Sequence, residues 1–144
     1  MLRAWRSEGT GVSHGCPIVD TDVVSMLFKG DTRVLPFRKH LAGRLLGISF
    51  MTLAELERRQ LERSWGVVRR AELDAHVSRY TVLPVNRELC RKWAEVSFEA
   101  RKRGQPIQTA DAWIAARALY YRVPLITNNG DDYSMVRGLT VLSV

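Results

Sequence analysis

The chain has few of the residues that build thiolate or imidazole metal sites, and no segment suited to a membrane. Only two of its 144 residues are cysteines, and Cys16 and Cys90 are too far apart in sequence to suggest a metal-ligand pair. His14, His40 and His76 also have no partner at ligand spacing, so a zinc site is not expected. No apolar run approaches the ~20 residues needed to cross a bilayer. We therefore expect a cytoplasmic protein with two reduced thiols.

The start of the chain also lacks an apolar run, and residues 1–15 are polar. This composition excludes a secretory signal peptide, so we interpret residues 1–16 as a flexible N-terminal extension. Residues 17–144 then form a single domain, in agreement with the total length. With 46% hydrophobic and 26% charged residues, the chain has the composition of a globular protein with one core.

Acidic residues are outnumbered by basic ones. The chain has 22 lysines and arginines against 15 aspartates and glutamates, which gives a net charge of +7. An excess of this size favours a polyanionic partner such as RNA, DNA or an acidic protein segment.

Short apolar runs alternate with amphipathic segments along the chain. The runs predict strands at 18–19, 48–49, 80–83, 124–127 and 140–142. The amphipathic segments predict helices at 21–29, 35–46, 52–63, 69–77, 86–103 and 110–121. This alternation predicts an α/β sandwich with a largely parallel central sheet.

Three acids stand where predicted strands end or helices begin, which is where open parallel sheets carry their sites. Asp20 follows the first strand, Glu55 lies in the first turn after the second, and Asp111 opens the helix at 110–121. A fourth polar cluster follows the strand at 124–127 and consists of Asn128, Asn129, Asp131 and Asp132.

Each acid alone also has a structural interpretation. Asp20 or Thr21 can cap a helix, and Thr52 with Glu55 matches the S/T-x-x-E capping box. Asp111 suits the positive end of a helix dipole, and Asp131 and Asp132 suit a turn.

Together, carboxylates from several helix starts repel one another unless a cation lies between them. Oxygen ligands with open water positions are what Mg²⁺ or Mn²⁺ prefers, and such an ion can activate water and stabilise charge on a phosphate. The sequence contains no Ser-His-Asp or Cys-His arrangement and no glycine-rich phosphate loop that would indicate another chemistry.

The order of these motifs resembles that of PIN-domain toxins of the VapC type. The resemblance covers roughly residues 17–144 and is carried by four segments: Val19-Asp20-Thr21-Asp22-Val23-Val24-Ser25, Thr52-Leu53-Ala54-Glu55-Leu56, Asp111-Ala112-Trp113-Ile114-Ala115-Ala116, and Pro124-Leu125-Ile126-Thr127-Asn128-Asn129 followed by Asp132-Tyr133 and Gly138-Leu139.

The resemblance implies a PIN-like α/β/α fold and a magnesium-dependent endoribonuclease, with Mn²⁺ as a possible substitute. It places catalytic roles on Asp20, Glu55 and Asp111, of which Asp20 and Asp111 would hold the metal. In the closing segment it favours Asp132 as the fourth acid over Asp131, with Asn129 as an uncharged oxygen ligand. It also implies a VapB-type antitoxin partner, an RNA substrate and a homodimer.

Two surfaces are candidates for partners. Arg58, Arg59 and Arg63, with Arg69 and Arg70 beyond them, can contact RNA phosphates or form a solvated face paired with nearby glutamates. In the N-terminal half, an apolar set among basic residues can form either a groove for an antitoxin segment or part of the core; it consists of Leu35, Phe37, Leu41, Leu45 and Leu46.

Two other functions remain open. Asp20-Thr21-Asp22-Val23 partly fits the motif of haloacid-dehalogenase-like phosphatases, in which Asp20 would be the nucleophile and Asp22 the general acid. That interpretation leaves Glu55 and Asp111 unexplained. The other alternative is a PIN-like module that binds RNA or protein without cleaving it.

Overall fold

The central sheet has six strands that all run parallel, in the order β1-β4-β3-β2-β5-β6. A computed structural model describes residues 3–4 and 16–143. Within them the strands are β1 (Arg3–Ala4), β2 (Ile18–Val19), β3 (Gly47–Ser49), β4 (Thr81–Leu83), β5 (Leu125–Ile126) and β6 (Val141–Leu142). The prediction of an α/β sandwich with a parallel sheet is confirmed.

Six α-helices connect these strands and cover both faces of the sheet. They are α1 (Thr21–Lys29), α2 (Arg38–Leu41), α3 (Phe50–Glu62), α4 (Val67–Val77), α5 (Arg87–Lys102) and α6 (Thr109–Tyr121), with 3-10 helices at Thr32–Phe37 and Gly130–Tyr133. None of the helices in this part of the chain is long and apolar enough to cross a membrane.

Neighbouring residues on each central strand pack into different cores, because side chains alternate across a sheet. Ile18 and Leu125 contribute to one core together with residues of α5 and α6. Val19, Ile48 and Ile126 contribute to the other, which includes residues of α1, α3 and α4. Helix layers therefore cover the two faces, and the carboxyl ends of β2, β3 and β5 open at one edge.

The expected helix at 35–46 is wrong. A 3-10 helix capped by Asp31 occupies Thr32–Phe37, and α2 ends after one turn at Leu41. Because the Asp31 cap starts the turn at Thr32, Pro36 falls inside the 3-10 helix rather than in the first turn of a helix, where its missing amide proton would be tolerated. Beyond α2 the backbone turns extended at Ala42, and Gly43 has a φ of +69°.

The expected N-terminal extension is described only in part. Arg3 and Ala4 pair in parallel with Thr81 and Val82, an edge strand that the sequence did not predict. Residues 1–2 and 5–15 lie outside the described residues, and the interpretation of residues 1–16 as flexible stays a prediction. Cys16 is buried and Cys90 exposed, and both are free thiols.

One cation lies inside the core with no carboxylate within 4 Å among the described residues. Arg117 is 0% exposed, its Nη2 donates a 3.1 Å hydrogen bond to the Leu83 carbonyl, and its guanidinium lies 5.7 Å from the centroid of the Tyr121 ring. Within the described residues its buried Nε and Nη1 have no close hydrogen-bond partner. Burial lowers the pKa of Arg117, because desolvation disfavours the charged form.

We expect Arg117→Met to be about as stable as the wild type, because methionine fills similar space and removal of the buried charge offsets the hydrogen bond lost at the Leu83 carbonyl. Arg117→Ala should lose about 2–4 kcal/mol, since it leaves a cavity in addition to the same unpaired carbonyl. Urea denaturation of both variants measures this difference. A large loss in Arg117→Met would contradict the interpretation and indicate that the charge itself is needed.

Candidate active site

Asp20 lies at the carboxyl end of β2, the strand between β3 and β5, and its side chain is only 7% exposed. Its Oδ1 accepts a 2.8 Å hydrogen bond from the Thr21 amide, which caps α1. Its Oδ2 accepts a 2.7 Å hydrogen bond from the Thr127 hydroxyl, directly after the neighbouring strand β5. Two elements therefore fix the orientation of this carboxylate.

Glu55 reaches the same edge from α3. Its Oε1 lies 2.9 Å from Oγ1 of Thr21, which also lies 3.0 Å from Oγ1 of the fully buried Thr52. A hydroxyl has one proton, so Thr21 can donate to Glu55 while accepting from Thr52. The interpretation of Thr52 and Glu55 as a capping box is wrong, because α3 begins at Phe50 and is capped by Ser49.

Asp111 lies in the first turn of α6 and is partly buried. Its Oδ1 is 3.4 Å from the hydroxyl of Tyr133, which belongs to the second 3-10 helix and is 1% exposed. The interaction of this hydroxyl with Asp20 lowers the pKa of that carboxyl, although its single proton can be donated to only one acid at a time. Tyr133 therefore lies between the two acids that the sequence predicts as metal ligands.

The polar segment after β5 forms the exposed rim of this edge. Asn129 is exposed, and its Nδ2 donates a 2.8 Å hydrogen bond to Oδ2 of Asp22. Asp132 is also exposed, and its charge contributes to raising the pKa of both Asp22 and Asp111. The structure thus brings Asp20, Glu55, Asp111 and Asp132 into one electrostatic group, with Asn129 bound to Asp22 beside it.

The ionised carboxylates disfavour one another. Burial raises the pKa of Asp20, and Glu55 adds to the effect, although hydrogen bonds from Thr127 and Thr21 partly offset it. Burial also raises the pKa of Asp22 to about 6, with the Asp20 charge as the next cause. Burial and the charge of Asp20 likewise raise the pKa of Asp111 to about 6. A cation placed here would relieve this repulsion.

The arrangement suits an ion that takes few protein ligands. Across residues 16–143, no three Asp, Glu, His or Cys side chains stand together as a ready-made metal cage. Mg²⁺, however, is usually bound by one or two carboxylates, with waters and substrate phosphates completing its octahedron. Each Asp20 oxygen accepts one hydrogen bond from the protein and retains a further lone pair.

The three candidate arginines lie on α3 beyond Glu55. Arg58 is exposed and pairs with Glu62 at 3.2 Å. Arg59 donates from Nη1 to the Ser25 hydroxyl at 2.7 Å and so links α3 to α1. Arg63 follows one turn later, exposed at the end of the helix.

Sequence reasoning missed three residues that position the acids: Thr21, Thr127 and Tyr133. A signal was visible for Thr21 and Thr127, because each carries a hydroxyl at the carboxyl end of a predicted strand: Thr21 follows Asp20 after the strand at 18–19, and Thr127 ends the strand at 124–127. Tyr133 carried no such signal, because an aromatic residue after Asp132 is equally typical of core packing.

Comparison with known proteins agrees with the fold described above. Residues 18–138 match the family model of the PIN domain. Ribonuclease VapC1 of Haemophilus influenzae strain R2866 is 30% identical over 129 residues, which cover 85% of this chain and 92% of the relative. Ribonuclease VapC5 of Mycobacterium tuberculosis H37Rv is 26% identical over 132 residues, covering 88% and 92% respectively.

Solved structures show the same fold. The structure of VapBC-1 from nontypeable Haemophilus influenzae superposes with a TM-score of 0.76 at 26% identity, covering 88% of this chain and 96% of the other. VapBC2 of Rickettsia felis, bound to a fragment of promoter DNA, gives a TM-score of 0.78 at 21% identity, with 88% and 97% covered.

The raised pKa of Asp111 predicts a pH-dependent stability without metal. Its ordinary value is 3.8 and its value in the folded protein about 6, so ionisation destabilises the folded state. The cost is absent below about pH 4, grows as the pH rises through 6 and is complete above it. Asp111→Asn removes this cost, on the order of 1 kcal/mol after solvent screening at this half-exposed site.

Thermal unfolding in EDTA measures the effect. The melting temperature of Asp111→Asn should exceed that of the wild type by a few degrees at pH 7 and by almost nothing at pH 4. The matched control is Asp74→Asn, on the exposed surface of α4. An equal or smaller gain at pH 7 than at pH 4 would contradict the prediction.

Proposed function

The chain belongs to the PIN-domain family, and from this premise we propose that it is a metal-dependent endoribonuclease, the VapC-type toxin of a type II toxin–antitoxin system. The relatives named ribonuclease VapC1 and VapC5 support this activity. The observation that carries the proposal is the convergence of Asp20 and Asp111 at the carboxyl edge of the sheet, where the Tyr133 hydroxyl lies 3.4 Å from Asp111 and the charge of Asp20 adds to the raised pKa of Asp111. With RNA as its substrate, the proposed ribonuclease would act in the cytoplasm.

Asp20 and Asp111 would hold Mg²⁺, with Mn²⁺ as a substitute. The bound ion would supply an activated water and a positive charge next to the phosphodiester. Thr127 and the Thr21 amide hold the Asp20 carboxylate in a fixed orientation, so its free lone pairs do not need to be reorganised. The Tyr133 hydroxyl holds the Asp111 carboxylate in position relative to Asp20.

Glu55 is the candidate for orienting the attacking water. Its carboxylate is partly exposed, and the hydrogen bond from Thr21 holds it towards the start of α1. We assign the fourth acidic position to Asp132. It lies on the exposed rim, where it can contact substrate without the cost of burying a further charge. Asn129 holds Asp22 by a hydrogen bond and adds an uncharged oxygen at the same rim.

One observation favours the phosphatase alternative. The pKa of Asp22 is raised to about 6, which would suit a general acid near neutral pH. Its carboxylate, however, already accepts hydrogen bonds from the Val23 amide at 2.7 Å and from Asn129 at 2.8 Å. The ribonuclease proposal also uses Glu55 and Asp111, which the phosphatase mechanism leaves without a role.

Two conservative variants separate the two mechanisms. Asp111→Asn should lower RNA cleavage by ~10²–10³, because it removes one negative charge that the ion and the transition state require. Asp22→Asn should have a smaller effect, and EDTA should abolish cleavage by the wild type. The assay follows a mixed RNA substrate and a generic phosphate monoester in parallel.

Wild-type cleavage by Asp111→Asn together with an inactive Asp22→Asn would refute this assignment and favour the phosphatase. Full activity in EDTA would instead refute metal dependence. A chain that binds RNA but cleaves it under no metal condition would be the non-catalytic module.

The proposed protein partners are a VapB-type antitoxin and a second copy of the chain. The structural neighbour from Haemophilus influenzae is a VapBC complex, which supports an antitoxin. Of the apolar set predicted to form either a groove or part of the core, Leu35 and Leu45 are exposed. Phe37 is fully buried in the core and cannot line a groove. Leu41 and Leu46 pack partly against the same core.

We expect the isolated protein to be a homodimer. Light scattering after size exclusion at tens of micromolar should give about twice the chain mass of 16.4 kDa. The physical reason is the number of large apolar side chains left exposed, which include Leu61, Val67, Val68 and Phe98. A monomer at this concentration would contradict the prediction without affecting the proposed catalytic site.

A further inference from the structure

A row of cations runs along α1 and α3, starting one helical turn from the acids. Both helices follow neighbouring parallel strands, so they leave the same sheet edge side by side. In the first turns of the two helices, Thr21 of α1 contacts Glu55 of α3. One turn further along both helices, Ser25 accepts a hydrogen bond from Arg59 at 2.7 Å. Lys29 and Arg63 follow at the next turn of each helix. We call Lys29, Arg59 and Arg63 the α1–α3 basic row.

These three cations have no acidic partner. Within residues 16–143 none of them lies within 4 Å of a carboxylate, because the neighbouring acids are engaged elsewhere: Asp31 with Arg33 at 2.7 Å, Glu62 with Arg58 at 3.2 Å, and Glu72 with Arg69 at 3.2 Å. The pKa of Lys29 is lowered by burial and then by repulsion from Arg63, Arg59 and Arg69.

Aromatic rings hold a fourth cation at the far end of the row. The Arg69 guanidinium lies 4.3 Å from the centroid of the Phe28 ring and 5.1 Å from that of Trp65. These contacts fix Arg69 close to Lys29 although both are positively charged. The region therefore keeps several positive charges together, and a bound anion would relieve their repulsion.

The charge pattern favours phosphates over the carboxylates of a protein. Protein interfaces are depleted of lysine and of charge at their centre but enriched in arginine, so it is Lys29 beside the two arginines that favours a nucleic-acid backbone, which is contacted mainly by arginine and lysine. Arg59 lies one helical turn, about 5.4 Å, before Lys29 and Arg63, a spacing that suits a polymer with a charge on every nucleotide. The row also begins next to Glu55, where a cleaved phosphodiester would lie under the proposed function.

We propose that the α1–α3 basic row is the track that binds the RNA backbone to one side of the scissile phosphate. This inference rests on the proposed ribonuclease function and assigns its substrate a direction, from the acids along α1 and α3 towards Arg69. Lys29 and Arg63 contact phosphates, and Arg59, tied to Ser25, links the track to the catalytic edge.

The test measures RNA binding without cleavage. A fluorescein-labelled 20-mer RNA of mixed sequence is titrated with the full chain in EDTA at several salt concentrations. The double variant Lys29→Gln/Arg63→Gln removes two exposed charges of the row. The matched control Arg101→Gln/Lys102→Gln removes an arginine and a lysine, also exposed and without acidic partners in the described chain, from the last turn of α5.

We expect the row variant to bind RNA several-fold more weakly and to lose roughly 1.4 from the slope of log K against log salt, about 0.7 for each phosphate contact. The control should retain nearly the wild-type slope. Circular dichroism melts of both variants should match the wild type, since neither pair is buried. Metal-activated cleavage of the same RNA should fall in the row variant mainly through KM.

Four outcomes would overturn the inference. Equal losses of RNA affinity in the row variant and the control would show that binding depends on overall charge and not on the row. Poly-glutamate can be added as a competitor in the same titration. If the row variant binds RNA as the wild type does but poly-glutamate no longer competes with RNA, the row would be assigned to an acidic protein partner. If the row variant binds and cleaves RNA as the wild type does, the RNA track is refuted but the proposed ribonuclease function is not. If the wild type neither binds nor cleaves RNA, both are refuted.

Discussion

The site depends on keeping the Asp20 carboxylate charged and oriented where it is 93% shielded from water. Burial raises its pKa most, the Glu55 charge adds to the effect, and hydrogen bonds work against that shift. One comes from the first amide of α1 and another from the hydroxyl that follows β5, and the Tyr133 hydroxyl acts in the same direction. Asp20 therefore ties the helix that it caps to the strand beside its own, and its position is fixed by the sheet rather than by a loop.

Because the sheet fixes the position of Asp20, short strands are enough to build the site. In the described chain β2 and β5 have two residues each, yet they are fully buried and bracketed by backbone hydrogen bonds, such as that from the Asp20 amide to the Ile126 carbonyl at 2.8 Å. A register slip of one residue would exchange Val19 with Ile18 between the two cores and turn Asp20 away from Thr127. The packing of both cores therefore determines the geometry of the acids.

The sequence was informative where one local pattern served both fold and site. Asp20 ends an apolar run and caps a helix, so its place was readable from neighbouring residues alone. The helix expected at 35–46 failed because Pro36 was placed in its first turn and the Asp31 cap, which starts the 3-10 helix at Thr32, was not considered. The role of Tyr133 could not be found from the sequence, because it comes from packing of the closing 3-10 helix against α6, a contact between residues 22 positions apart. Single-sequence patterns carry no such long-range information.

The proposed function has to reconcile an acidic centre with a polyanionic substrate. The carboxylates of Asp20, Glu55 and Asp111 repel a phosphodiester, so a net charge of +7 spread evenly would not bring it to them. Under the proposed function a cation between the acids would reverse the local sign, and Lys29, Arg59 and Arg63 would hold the adjoining phosphates. Both requirements are local, because a distant charge is screened within about 8 Å at physiological ionic strength. The distance of these cations from Glu55, rather than their number, would therefore determine whether RNA binds at this edge.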